Sequence, residues 1–114
     1  MVKVLKKTDA IRHENTSSCV AYEYNQPTNE LDAAVITLSG RYPENGWVLN
    51  TACTSLVHVV SGRGHVYFAG SEVELAEDHQ VLIERGEKYA LEGEMKLLFI
   101  ASPKWTPEQA KSIL

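Results

Sequence analysis

Ser55-Leu-Val-His-Val-Val-Ser-Gly-Arg-Gly-His-Val-Tyr-Phe-Ala-Gly70 is the stretch on which the fold is read. Two β-branched, apolar runs flank Gly62-Arg63, and a two-residue loop there predicts a tight hairpin. In that register Val60 opposes His65, Val59 opposes Val66 and His58 opposes Tyr67. Successive side chains of a strand point to opposite faces. One face therefore carries Ser55, Val57, Val59, Val66 and Phe68, is almost purely apolar and is expected to point inward. The other carries Leu56, His58, Val60, His65 and Tyr67, as a solvent-facing or subunit-facing surface would.

Period-two alternation extends in both directions from this stretch. Strands are expected at Cys19–Tyr24, Ala33–Leu38, Trp47–Asn50, Val73–Leu75, Val81–Ile83, Tyr89–Leu91 and Met95–Ala101. Asn25-Gln26-Pro27-Thr28-Asn29 and Arg41-Tyr42-Pro43-Glu44-Asn45-Gly46 read as loops from their turn residues. Many short strands at close spacing predict an all-β sandwich or barrel. Thr106-Pro107-Glu108-Gln109 has an N-cap threonine and a proline at the first helical position, so a short C-terminal helix is expected over 106–113.

Composition narrows the function. The 114 residues suit a single domain over 1–114, and the chain is 44% hydrophobic and 23% charged. A formal net charge of −4 and the absence of a clustered basic face argue against nucleic-acid binding. No stretch is apolar enough for a membrane span or a signal peptide, so a cytoplasmic protein is expected. In that reducing compartment Cys19 and Cys53 read as free thiols.

The hairpin with its Ser-Gly-Arg-Gly turn, and the later Asp78-His-Gln-Val-Leu-Ile-Glu-Arg-Gly-Glu-Lys-Tyr89, resemble the two motifs of the cupin family. The resemblance covers roughly residues 33–101 and implies a double-stranded β-helix, or jelly-roll, barrel with its core in that span. It also implies where a metal would sit. Counted back from Gly62, the glutamate position of the first motif holds Ser55. The two histidine positions hold Thr51 and Leu49, or Asn50 and Val48 with one more spacer. Anchored on Gly86, the second motif has Glu84 for its proline and Tyr89 for its histidine. First-row metals need imidazole or carboxylate ligands aimed at one centre. Threonine, leucine, serine and tyrosine do not supply them, so no metal or other cofactor is expected.

His58 and His65 share a predicted face, a spacing able in principle to grip a metal, but a site also needs a third ligand and supporting groups. Surface histidines are the preferred reading, and His13 and His79 are read as solvated. The metal-independent cupin epimerases need a histidine base, and the register puts none inside. Cys53 has no neighbouring cation to activate it and is read as core packing. Trp105 is expected to seal the core as the helix docks.

The leading expectation is a metal-independent cupin that binds a small molecule in a cavity lined by Thr51, Cys53, Ser55, Val57 and Tyr89, with Trp47 at its mouth. A sugar or sugar-phosphate isomerase or epimerase is the second reading. The third is a dimeric interaction domain whose barrel its own side chains fill. A homodimer through the Leu56, His58, Val60 and Tyr67 face is expected in each case.

Overall fold

Alternating apolar and polar residues, rich in valine, isoleucine and aromatics, favour extended backbone with one buried face. The computed structural model describes every residue, Met1–Leu114. It contains β1 (Ile11–Thr16), β2 (Cys19–Tyr24), β3 (Asp32–Tyr42), β4 (Trp47–Asn50), β5 (Thr54–Phe68), β6 (Ser71–Leu75), β7 (Gln80–Ile83), β8 (Ala90–Ser102) and β9 (Ala110–Ile113). Single 3-10 turns occupy Lys7–Asp9 and Pro107–Gln109.

The strand order is β1-β2-β3-β8-β5, with β6 and β7 sharing the far edge of β5, and every pairing is antiparallel. A separate ribbon of β4 and β9 joins this sheet through a bridge between Val48 and Tyr89. The architecture is all-β, as the alternation predicts, and is the jelly-roll barrel that the cupin resemblance implies. Leu38, Val57, Val59, Val66, Leu91 and Leu97 form the centre of its core.

The hairpin expected at Gly62-Arg63 does not form. Residues 54–68 run as one strand, paired with β8 from Thr54–Ser102 to Tyr67–Ala90. The uninterrupted partner strand decides this, because it satisfies backbone groups along the whole of β5, which a turn would leave exposed. A β-bulge at Val60, between Val59 and Ser61, inserts one residue and reverses the side-chain parity. Val57, Val59 and Val66 therefore all point inward, as expected, but through a bulge. The tight turn lies later, at Ala69-Gly70. Their φ values of +38° and +76° suit the two-residue turn joining β5 to β6.

Two other expected breaks are also absent. Tyr89–Leu91 and Met95–Ala101 belong to one continuous run, with Tyr89 just before β8. The Ala33–Leu38 run continues through Ser39-Gly40 and the predicted loop residues Arg41 and Tyr42. A row of glycines makes this possible. Gly40 pairs with Gly93, and Gly93 with Gly64, across three adjacent strands. Gly40 and Gly93 have φ near +140°, and a side chain on Gly93 would collide with the Arg63 carbonyl. Glycine in such a row lets long strands turn a barrel corner without ending.

The C-terminal segment corrects another expectation. Its proline-led cap makes only one 3-10 turn, and Ala110–Ile113 becomes a strand instead of completing a helix over 106–113. An eight-residue helix is weak alone, whereas β4 offers a free strand edge to pair with. β1 and β2 also join the sheet, so the barrel begins well before residue 33. No helix is long and apolar enough to cross a membrane.

Candidate functional site

The inward rows of β2, β3 and β8 leave a cavity of about 140 Å³ in the barrel. Its wall is mainly apolar, with Ala21, Ile36, Leu38, Leu97 and Phe99 prominent. Polar groups interrupt that wall at few places.

Tyr89 is fixed by two backbone hydrogen bonds with Val48, of 3.0 and 2.9 Å. Tyr42 lies at the end of β3, paired with Leu91 and two residues beyond Gly40. Neither hydroxyl has a hydrogen-bond partner in the protein, and no buried polar side-chain atom is left unsatisfied. Both hydroxyls therefore open on the cavity. Burial holds the Tyr89 pKa above its usual value, and the neighbouring Tyr42 and Cys19 add to that. Burial does the same for Tyr42, with Cys19 contributing. At neutral pH both tyrosines are uncharged donors. Ser55, between Ile83 and Ala101 in the sheet, adds a third hydroxyl.

Acidic groups also line the cavity, with Asp32 in the same cross-strand row as Ser55, through Ala101. Glu23 follows Cys19 and Ala21 on the inward row of β2 and lies in register with Ala34. Asp32, 7% exposed, accepts hydrogen bonds from the Gln26 backbone at 2.7 Å and from Lys104 Nζ at 3.3 Å. Lys104 thereby balances its charge.

Cys53 borders the cavity at 1% exposure, and its thiol donates towards the Pro103 carbonyl and the Gln109 side-chain oxygen, each 3.1 Å away. Burial raises its pKa; an Asn50 hydrogen bond opposes this weakly. A protonated, enclosed thiol is a packing group, not a nucleophile.

Of the residues the sequence analysis proposes, Cys53, Ser55 and Tyr89 line the cavity. Three other residues do not line the cavity. Thr51 is exposed and bonded to the Gln109 carbonyl at the start of the C-terminal strand. Val57 is completely buried in the core. Trp47 faces outward under Lys88, whose Nζ is 5.5 Å from its ring. β4 follows a parity that sends its neighbour Val48 inward instead.

Sequence reasoning missed Cys19, Glu23, Tyr42 and the lining role of Trp105. The alternation of Cys19, Ala21 and Glu23 carried the first two. Tyr42 was hidden by the loop-like residues that follow it.

The predicted outer face is also divided. His58 and His65 lie seven residues apart on one strand, about 20 Å at strand spacing. His58 is bonded to Asp78 and Gln80, and His65 stacks on Tyr67. Tyr67 donates to Glu92 in an outer cleft with Arg41 and Trp47. His13 and His79 are exposed.

A metal, which cupin-type barrels imply, does not fit these residues. No three histidine, cysteine, aspartate or glutamate side chains converge. Of the corresponding positions, Leu49, Ser55 and Tyr89 border the cavity and Thr51 points away, and none offers imidazole or carboxylate.

No protein-family model and no curated protein matches the sequence. Solved structures do match. A Streptomyces Pac13 variant with uridine shares 13% identity over 100% of this chain and 92% of that one, with a TM-score of 0.88. Pac13 is described as a nucleoside dehydratase. The polyketide cyclase RemF from Streptomyces resistomycificus is 12% identical over 100% and 87% of the two chains, with a TM-score of 0.77. An RmlC-like cupin from Shewanella frigidimarina is 16% identical over 90% and 92%, with a TM-score of 0.71. At such identities the likeness is one of fold, and the fold is that of the cupins.

Proposed function

We propose that this cupin-fold chain binds a small organic ring compound inside its barrel without a metal, through Tyr42, Tyr89 and Ser55. The observation that carries the reading is a cavity of about 140 Å³ onto which two unpartnered tyrosine hydroxyls open. An apolar cavity of about 150 Å³ takes up benzene, so this one suits a single six-membered ring, with substituents reaching the mouth. A mostly apolar pocket with few polar groups is the usual form of a small-molecule site. That a barrel of the same fold binds uridine supports the reading. The cavity also weighs against a barrel filled by its own side chains.

The isomerase or epimerase alternative finds less support, since no histidine lines the cavity to serve as the base. The two unpaired, buried cysteines suit a reducing compartment such as the cytoplasm.

A thermal-shift and calorimetric screen of uridine, other nucleosides and monosaccharides tests this. A true ligand raises the melting temperature of the wild type. Tyr89→Phe weakens it by one hydrogen bond, about 0.5–1.5 kcal/mol, and Ser55→Phe abolishes binding by filling the cavity. A ligand that binds the wild type and both variants equally places the site elsewhere and refutes the proposal.

A further inference from the structure

The charge around the cavity is one-sided. Glu23, Asp32 and Glu84 line it, and no lysine, arginine or histidine does. Asp32 is balanced by Lys104, and Glu84 is exposed at the rim. Glu23 differs from both: it is partly buried, borders the apolar wall beside Phe99 and Ala34, and makes no ion pair or hydrogen bond within the protein. Four aromatic side chains, Tyr42, Tyr89, Phe99 and Trp105, line the same space. Aromatic faces attract cations, and a carboxylate against low-dielectric walls attracts them more strongly than it would in water.

We propose that the cavity selects organic cations, a ring bearing a protonated or quaternary amine, with Glu23 as the counter-charge that sets this specificity. The proposal rests on the cavity being the binding site and deepens that reading by naming the ligand's charge. A phosphate or carboxylate inside would meet Glu23 with no basic side chain to offset the repulsion, so phosphorylated sugars and nucleotides are disfavoured. The amine of a cation exchanges its water for Glu23, while its ring packs on the aromatic wall. A neutral ring keeps the packing and gains only a hydrogen bond.

The test uses three probes with one ring and different charge: cyclohexylammonium, cyclohexanol and cyclohexanecarboxylate. Each is titrated by NMR into the wild type, Glu23→Gln and Ser55→Phe. In the wild type the ammonium binds about tenfold more tightly than the alcohol, and the carboxylate binds weakest. Glu23→Gln, isosteric with the native side chain, removes the preference for the ammonium, because the ammonium loses its counter-charge while the alcohol loses at most part of one hydrogen bond. Ser55→Phe removes binding of all three. Equal binding of ammonium and alcohol to the wild type overturns the charge reading. So does a preference that survives Glu23→Gln. If Ser55→Phe still abolishes that binding, the cavity reading stands without the charge reading. Failure of all three probes to bind the wild type overturns both. The wild-type ranking decides the matter even if a variant folds poorly.

Discussion

The Cys53 thiol and the Gln109 side-chain oxygen, 56 positions apart in sequence, meet at 3.1 Å beside the cavity. The same oxygen accepts from Asn50 Nδ2 at 3.3 Å, and the Gln109 amide donates to the Lys104 carbonyl at 3.1 Å. The Gln109 backbone carbonyl takes the Thr51 N–H at 2.9 Å. One glutamine therefore fastens the C-terminal segment, whose Trp105 and Ala110 line the cavity wall.

Gln109→Ala is expected to release that segment. It strips the Asn50 amide of its acceptor and the Lys104 carbonyl of its donor, and leaves the Cys53 thiol only the Pro103 carbonyl, which costs about 1–3 kcal/mol. Stability by urea titration, together with the rate at which a thiol reagent modifies Cys53, checks this. Peptide mapping separates Cys53 from Cys19. An unchanged modification rate counts against the fastening role.

Gly93→Ala is expected to cost about 2–4 kcal/mol, from a strained φ and a collision with the facing strand. Gly70→Ala is the contrast: φ is also positive, but nothing lies within 4 Å of the added carbon, so about 1 kcal/mol is expected. Denaturant midpoints of the two variants measure the difference. Equal losses refute the idea that the glycine row, and not φ alone, shapes the barrel.

Alternation made the fold class legible, because burial of Val57, Val59 and Val66 is a local pattern that the barrel repeats. Connectivity was less legible. Gly62-Arg63 has the composition of a turn, and only the partner strand beyond it, which sequence does not show as continuous, keeps the chain extended. The C-terminal helix failed likewise: Thr106 and Pro107 are good cap residues, but pairing with Trp47–Asn50 is a long-range gain that no local signal carries. At the site, Cys53, Ser55 and Tyr89 could be placed by counting. Glu23 and Tyr42 lie on β2 and β3, distant in sequence from Ser55 and Tyr89, so local alternation can mark Glu23 as inward but only the folded barrel brings the four to one space.

We propose that the chain is a homodimer paired through the outer face of the sheet. Only 17 of 114 residues are buried in the isolated chain, a small core for this length. Leu82, Leu56 and Ile100 lie in one row across β7, β5 and β8, and His58, Leu98, Val35 and Tyr22 in the next. Leu82 is 62% exposed. A second copy presenting the same apolar rows covers them by two-fold symmetry. Light scattering should give twice the 12.7 kDa chain mass. Leu82→Glu, which cannot disturb the interior, should give monomers, and a monomeric wild type at micromolar concentration refutes the proposal.

Stability is expected to fall in alkali through the groups that line the cavity. Burial raises the folded-state pKa of Tyr42 and Tyr89 above 10.0 and that of Cys19 above 9.0. The unfolded chain gives up these protons at the ordinary values, while the native protein keeps them. The unfolded state then binds fewer protons, and ∂ΔG/∂pH is negative. The stabilisation is complete below the unfolded pKa values. It starts to decline near pH 9, as Cys19 and Cys53 of the unfolded chain ionise, and steepens above pH 10, when the tyrosines follow. Each group contributes at most about 1.4 kcal/mol per pH unit. Urea titrations from neutral pH to about pH 11 measure the slope, starting well below the ordinary tyrosine pKa. A Tyr42→Phe/Tyr89→Phe double variant should keep the early, thiol-linked decline and fall less steeply than the wild type above pH 10, where Tyr67, its pKa raised by its bond to Glu92, still contributes. If it declines as steeply as the wild type there, these two hydroxyls are not the groups whose burial the pH dependence reports.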